Sequence, residues 1–174
     1  MTTPPGRLSV LAGKNFACVK IVGRANYVSS PDFKTLLSEM AAKGCRHFII
    51  DLSECVLMDS TFLGVLAGFG LKMNPGGASG EQGVELLNAN ARVAELLENL
   101  GALQLFKLTN GALQLPGDVK ISTPEPANPT HAEITRTCLE AHQTLITLNP
   151  GNAARFKDVT QFLAEDLKKL EKGD

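Results

Sequence analysis

The sequence predicts an α/β fold, with a mixed sheet of about five strands flanked by helices. Strand-like and helix-like segments alternate from residue 8 to about residue 109, which favours right-handed crossovers between strands. The short apolar run Phe48-Ile49-Ile50 is bounded by polar residues and is typical of a strand that is buried on both faces. Between Phe33 and Ala41, apolar residues instead recur at helical spacing.

The N-terminal part is predicted to form two strands and a helix. Loosely alternating apolar residues in Leu8–Val22 favour two strands, joined by a tight turn at Gly13-Lys14-Asn15. The second strand is expected to end at Gly23-Arg24-Ala25-Asn26. The hydroxyl residues and the proline of Ser29-Ser30-Pro31-Asp32 are typical of a helix start, and Lys43-Gly44 is typical of a helix end.

A buried strand followed by an apolar helix is predicted next. The strand covers Cys45–Leu52, and a short loop then leads to Asp59-Ser60, where the helix begins. This helix continues to Lys72, and the residues on its apolar side are Phe62, Leu63, Leu66, Phe69 and Gly70. The following segment, Asn74–Gly83, is rich in Gly and Pro and is predicted to be a loop.

A strand, a helix and a strand complete the alternating region. Val84–Leu87 is predicted to be a short strand. Asn88–Arg92 leads into a third helix, which is expected to stop at Gly101 because glycine is frequent just after a helix end. Leu105–Leu108 is predicted to be the last strand.

A proline-rich segment and two further helices follow. Residues 116–129 contain four prolines, which favours a linker or an extended arm. Apolar stripes predict helices at about His131–Leu148 and about Lys157–Lys172, separated by Asn149-Pro150-Gly151-Asn152. The predicted organisation is a domain at residues 7–112, a proline-rich linker or arm at residues 113–130 and a C-terminal helical extension at residues 131–172.

Composition and charge argue against several classes of partner. The net charge is −1, Trp is absent and Tyr27 is the single tyrosine, so nucleic acid is not expected as a partner. No apolar run reaches the roughly 18 residues that a membrane helix needs, so membrane insertion is not expected. Residues 1–6 lack the basic start and apolar stretch of a signal peptide, so a cytoplasmic location is expected.

Cysteine and histidine spacing predicts no metal ion and no cofactor. The four cysteines form no C-x-x-C pair and lie in or beside apolar runs, which favours buried thiols in a reducing compartment. His47, His131 and His142 have no ligand spacing, and no Ser/His/Asp set stands in a recognisable context. Asn74–Gly80 lacks the Gly-Lys-Ser/Thr ending of a nucleotide loop. No catalytic residue is assigned, and the chain is not expected to be an enzyme.

The candidate site lies at the start of the second helix. A serine at this place can accept from a free backbone N–H, and a phosphate on Ser60 would lie at the positive end of the helix. The added charge of about −2 would be tolerated by the fold but felt by a docked partner. An ordinary helix cap is the alternative for Ser60. Asp59 would orient a partner or fix the loop by accepting backbone hydrogen bonds, and Thr61 would be a second phosphosite or keep its hydroxyl in water.

The segment from Met58 to Leu66 resembles the STAS family, as in bacterial anti-sigma factor antagonists. The family pattern is an apolar strand, a short loop and Met-Asp-Ser-(Ser/Thr)-x-Leu-Gly-x-Leu, and its places are filled here by Met58, Asp59, Ser60, Thr61, Leu63, Gly64 and Leu66. The resemblance covers about residues 7–110. It implies a STAS-like fold and phosphorylation of Ser60 by an anti-sigma factor that is a Ser/Thr kinase, with a metal-dependent phosphatase to reset it.

The resemblance also implies a partner-binding surface. Its residues are Asp59, Ser60, Thr61, Phe62, Gly64, Gly23, Arg24 and Asn26. The chain departs from the family at Phe62, where glycine is frequent, and at Asn26, where an acidic residue is frequent. The alternative function is a STAS scaffold or homodimerisation module without a phosphoswitch, in which the C-terminal helices set the assembly.

Overall fold

The computed structural model describes residues 6–73, 83–113, 120–122, 124 and 128–172. The strands within these residues are β1 (Arg7–Ala12), β2 (Phe16–Ala25), β3 (His47–Met58), β4 (Gly83–Leu87), β5 (Lys107–Thr109) and β6 (Lys120–Ser122). The helices are α1 (Ser30–Ala42), α2 (Ser60–Met73), α3 (Ala91–Asn99), α4 (His131–Leu148) and α5 (Asn152–Lys172), with a short 3-10 helix at Leu103–Leu105. The predicted α/β fold and the order of its elements are confirmed.

The described strands form one mixed sheet in the order β5-β4-β3-β2-β1-β6. Strands β2 to β5 are parallel to one another, and β1 is antiparallel to β2. The five strands expected from the sequence are β1 to β5. Strand β6 adds a short antiparallel edge beside β1, within the segment that was predicted to be a linker or extended arm.

Strand β2 ends at Ala25, within the predicted segment Gly23–Asn26, whereas β3 continues beyond its predicted end. Gly23 lies at a β-bulge in β2 with φ of +89°. The short loop predicted before Asp59 is also wrong, because β3 stays paired with β2 as far as Met58. Strand β3 therefore leads directly to the start of α2, and the end of β2 lies beside it.

Two further boundaries differ from the prediction. The last predicted strand, Leu105–Leu108, is replaced by the 3-10 helix and the shorter strand β5, which ends at Thr109. Helix α5 begins at Asn152 rather than Lys157. The Asn152 side chain lies in the core and donates to the carbonyls of Leu100 at 2.9 Å and Leu145 at 2.8 Å, so the polar segment before α5 is held tightly.

Both faces of the sheet carry apolar residues, as expected for β3. Alternate residues Phe48, Ile50 and Leu52 enter the main core, whereas Ile49 packs in a smaller cluster on the other face with Phe16 and other residues. The main core includes buried residues from each of the five helices. Phe33 of α1 stacks on Phe62 of α2, with ring centroids 4.3 Å apart.

The two C-terminal helices pack onto the rest of the protein. Ala141 and Leu145 of α4 and Phe156 of α5 are buried members of the main core. Helix α4 lies along α2 in the same direction, because Ala141 lies beside Gly64 and Thr144 lies beside Gly68. These two glycines therefore face α4.

Some predictions fall outside the described residues. These concern the N-terminal tail at residues 1–5, the glycine-rich loop at residues 74–82 and most of the proline-rich arm. In the part of the chain that the structure describes, no helix has both the length and the apolar character needed to cross a membrane.

Candidate functional site

The start of α2 is fixed by Asp59, the residue between β3 and the helix. The Asp59 backbone N–H donates to the Ala25 carbonyl at 2.9 Å, which extends the β2–β3 pairing by one residue. The Asp59 carboxylate accepts from the backbone N–H of Phe62 at 2.8 Å, as an N-cap residue does. Asp59 therefore caps the helix, and the expectation that Ser60 is the cap is wrong.

The second carboxylate oxygen of Asp59 holds the turn that follows β2. It accepts from the Tyr27 backbone N–H at 2.7 Å. In the same turn, the Asn26 side chain accepts from the Val28 N–H at 3.1 Å. Burial raises the pKa of Asp59, although the N–H donors of Phe62 and Tyr27 act in the opposite direction. Asp59 thus fixes the local backbone, which was one of the two roles considered for it.

The Ser60 side chain forms a hydrogen bond with α4, the first of the two C-terminal helices. Its Oγ lies 2.9 Å from Nε2 of His142, a residue of α4 that is 82 positions later in the chain. The other ring nitrogen of His142, Nδ1, lies 2.7 Å from the Cys138 carbonyl. The His142 side chain is only 5% exposed and packs edge-on against Phe156, with ring centroids 4.8 Å apart. Ser60 itself stays half-buried.

Three of the predicted partner-binding residues are covered in this structure. Thr61 is buried and its hydroxyl bonds to Cys138, so the expectation of a hydroxyl in water is wrong. Phe62 is fully buried in its stack with Phe33. Gly64 is also buried, and a Cβ built there would lie 2.5 Å from the Ala141 carbonyl oxygen of α4. Thr61 and Gly64 can contact a partner only if α4 moves away, whereas Phe62 is covered by α1.

The other predicted residues lie on the open side of the turn. Gly23 is half-buried at the bulge of β2, the next residue Arg24 is exposed, and Asn26 is half-buried in the turn. Nearby are three exposed apolar residues, which we call the apolar patch: Tyr27 at 50%, Val28 at 44% and Val56 at 56% exposure. The patch was not predicted from the sequence, because the exposure of Val56 depends on the unpredicted end of β3.

The Asn90 side chain supports the patch from the opposite side. It caps α3 by accepting from the Val93 N–H at 2.9 Å, and its amide donates to the carbonyls of Cys55 at 3.0 Å and Val56 at 3.1 Å. These bonds hold the end of β3 against the start of α3. The apolar patch is therefore presented by a fixed backbone, since Asp59 holds one part and Asn90 holds another.

The structure brings Asp59, Ser60 and His142 together, a set that the sequence analysis did not find. His142 was considered there only as a metal ligand, without the required spacing, and nothing in its local sequence indicates that it reaches Ser60. Elsewhere, a cavity of about 190 Å³ lies between α1, α2 and α4, where Lys34 pairs with Glu140 at 2.7 Å. Neither Ser60 nor His142 lines this cavity. Among the described residues, no group of three His, Cys, Asp or Glu side chains could hold a metal ion.

Comparison with known proteins places this geometry in a family. A family model described as STAS domain matches residues 10–112, which is more than half of the chain. Among solved structures, an anti-sigma factor antagonist from Mycobacterium paratuberculosis is similar with a TM-score of 0.50 and 18% identity, over 62% of this chain and 90% of that one. The unphosphorylated anti-sigma factor antagonist SpoIIAA is similar with a TM-score of 0.49 and 12% identity, over 63% of this chain and 90% of that one. No match was found among curated protein sequences. The matched region runs from within β1 to beyond β5 and includes the Asp59-Ser60 turn, and the chain belongs to the STAS domain family.

Proposed function

We propose that this chain is a bacterial regulatory protein of the anti-sigma factor antagonist type, acting in the cytoplasm. In its unphosphorylated form it binds an anti-sigma factor or a related Ser/Thr kinase, and phosphorylation at Ser60 releases it. A metal-dependent phosphatase then resets the switch. The observation that carries the proposal is the place of Ser60, which is half-buried at the first position of α2 and follows the helix cap Asp59.

The electrostatics of the helix start support a phosphate at Ser60. The first turn of α2 carries the positive end of the helix dipole, which favours a nearby anion by about 0.3–1 kcal/mol. The same phosphate would lie close to the carboxylate of Asp59, whose pKa is already raised by burial. The helix dipole thus favours a charge of about −2 at this position, the Asp59 carboxylate opposes it, and any neighbouring surface feels it strongly.

The apolar patch is the surface on which we propose that the partner docks. Tyr27, Val28 and Val56 are all exposed, Val56 near the carboxyl end of β3 and the other two just after β2. An apolar interface requires both surfaces to lose water, and a phosphate at its edge resists that loss. Asn26 and Arg24 belong to the same side and contribute polar contacts at the rim. Docking in this way leaves α4 in place.

Phosphorylation in vitro tests the proposal directly. The chain is incubated with ATP and an anti-sigma factor kinase from the same genome, and the modified residue is located by mass spectrometry. We expect one phosphate on Ser60, none in Ser60→Ala, and normal modification in Thr61→Val, which removes the neighbouring hydroxyl. Modification of another residue, or no modification at all, would refute the proposed phosphoswitch.

Partner binding is measured by calorimetry with the same kinase. We expect Ser60→Asp or phosphorylated Ser60 to weaken binding by at least about 30-fold, which corresponds to roughly 2 kcal/mol. Tyr27→Ala should weaken binding to a similar extent without adding charge, because aromatic residues dominate interface energies. Asn15→Asp is the charge control, since Asn15 is exposed near the opposite end of β3 and its own carbonyl accepts from His47. Equal affinity of the unchanged chain and the Ser60, Tyr27 and Asn15 variants would contradict the proposal.

A second candidate function, a STAS scaffold or homodimer, is favoured by one observation on α5. Phe162 is 68% exposed and Val159 is 41% exposed on this helix. Light scattering after size exclusion would compare the full chain with Phe162→Ser. A dimer that dissociates in the variant would support the scaffold, whereas two monomeric proteins would remove the observation that favours it.

A further inference from the structure

Ser60, His142 and the Cys138 carbonyl have the arrangement of a nucleophile, a base and an orienting group. In enzymes that use such pairs, the base lies within about 2.6–3.2 Å of the nucleophile and is itself held by a third group. Here the Ser60 Oγ to His142 Nε2 distance is 2.9 Å, and the His142 Nδ1 to Cys138 oxygen distance is 2.7 Å. Both distances fall within that range.

The chemistry of the three groups fixes the direction of the hydrogen bonds. A backbone carbonyl can only accept, so Nδ1 of His142 carries a proton and donates it to Cys138. In the neutral ring, Nε2 is then an acceptor, and the Ser60 hydroxyl donates to it. The ring has little freedom to turn, because it is buried and packs against Phe156.

We propose that His142 is a proton acceptor, built into this chain, for phosphoryl transfer to Ser60. The inference rests on the proposed function, because it assigns a role in the modification of the same serine. A kinase would present a nucleoside triphosphate to the hydroxyl of the half-buried Ser60. The bond from Oγ to the γ-phosphorus forms, the bond from that phosphorus to the β–γ bridging oxygen breaks, the nucleoside diphosphate leaves and the hydroxyl proton moves to Nε2 of His142.

Negative charge lies beside the ring to which this step delivers a proton. The Asp59 carboxylate interacts electrostatically with His142, and the new phosphate on Ser60 adds a second negative group beside the ring. The uncharged neighbours are the Cys138 carbonyl and the Phe156 ring. His142 lies in α4, beyond the STAS match that ends at residue 112, so this contribution comes from the part of the chain outside the family region.

Reaction with a fluorophosphonate tests the proposal without any kinase. This reagent phosphonylates an activated serine: the bond from Oγ to phosphorus forms, the P–F bond breaks with loss of fluoride, and the serine proton goes to the base. We expect labelling of Ser60, located by peptide mass spectrometry, at least about 100-fold faster in the folded chain than in the chain unfolded in urea. Folded His142→Gln should react at least about 100-fold more slowly than the unchanged chain, with thermal unfolding as the check of its fold.

A second histidine provides the matched control. His47 lies at the amino end of β3, next to Glu85, and His47→Gln should leave labelling of Ser60 unchanged. If the His142 variant does not fold, the comparison of folded and unfolded unchanged chain still decides the question. Equal labelling in those two states, or equal labelling in folded His142→Gln, would show that the hydrogen bond only holds α4 in place.

The outcome separates this inference from the proposed function. A chain that reacts rapidly at Ser60 through His142 but is not modified by any anti-sigma factor kinase would refute the proposed function and leave His142 as a base that activates the Ser60 hydroxyl. A kinase that modifies His142→Gln as fast as the unchanged chain, combined with slow fluorophosphonate labelling, would refute the inference and keep the function.

Discussion

Replacement of Gly64 by alanine tests whether α4 packs closely on α2. A Cβ at this position would lie 2.5 Å from the oxygen and 2.7 Å from the Cβ of Ala141. Ordinary contacts begin near 3.4 Å. The nearest atom belongs to helix backbone, which cannot rotate away as a side chain can. The two helices must therefore separate by several tenths of an ångström to accept one methyl group.

The net effect of Gly64→Ala is the difference between two opposing contributions. Overpacking of a tight interface costs about 1–3 kcal/mol. The change from glycine to alanine within a helix stabilises the folded chain by about 1 kcal/mol, because alanine loses less backbone freedom on folding. Since the clash is with backbone, we expect the upper part of the cost to apply. The free energy of unfolding should fall by about 1–2 kcal/mol.

Gly68→Ala is the matched control one helical turn later. The atoms nearest to its added Cβ are in the Thr144 side chain, at 3.6 and 3.8 Å, which are ordinary contact distances. This variant should gain the helix propensity without the clash and become more stable by about 0.5–1 kcal/mol. The same substitution, four residues apart in one helix, is thus expected to change stability in opposite directions.

Urea unfolding followed by circular dichroism measures both variants. With a slope of about 2 kcal/mol per molar urea, the two midpoints should differ by about 1 M. Similar midpoints for Gly64→Ala and Gly68→Ala, both above that of the unchanged chain, would refute the close packing of α4 on α2. The covered state of Thr61 and the contact between Ser60 and His142 would then lose their structural basis.

Three further predictions concern buried groups. Asn152→Ala leaves two buried carbonyls without their donor and should lower the free energy of unfolding in urea by about 2–4 kcal/mol. Burial, with a smaller contribution from Asp51, raises the pKa of the Cys18 thiol to about 12, so about one molecule in 10⁴ is ionised at pH 8 and iodoacetamide should label Cys18 only after unfolding. The raised pKa of Asp59 means that its contribution to stability is present below the unfolded value of 3.8 and is lost as pH rises through the folded value. In thermal unfolding between pH 3.5 and 6.5, the stability of Asp59→Asn relative to the unchanged chain should therefore increase as pH rises. A decrease of this relative stability with rising pH would contradict the prediction.

The sequence predicts the elements of this fold better than their ends. The bounds His131–Leu148 predicted for α4 are confirmed, because its apolar stripe and the breaking residues after it are both local signals. The end of β3 was missed because Ser53 and Glu54 are exposed polar neighbours, which looks like a loop unless the pairing with β2 is known. Strand β6 was missed for the same reason, since pairing with β1 defines it and its own composition does not.

The same distinction between local and long-range signals decides which parts of the candidate site could be predicted. Ser60 could be found because its motif is continuous in the sequence. Its bond to His142 could not, because the two residues are 82 positions apart and neither has a spacing that marks the pair. The close packing of α2 was indicated only in part by Gly64. A glycine inside a helix indicates a close neighbour without saying which element that neighbour is.

Helix α4 therefore changes what the Ser60 motif can do in this chain. On one side Ser60 contacts His142, and beyond it α4 covers Gly64. On the other side the turn held by Asp59 presents Tyr27 to solvent. A group added to Ser60 would act in two directions, on a partner at the apolar patch and on the helix of its own chain. The proposed switch need not expose α2 to be read, because Ser60, the residue proposed to be modified, lies at the boundary between the covered and the open surface.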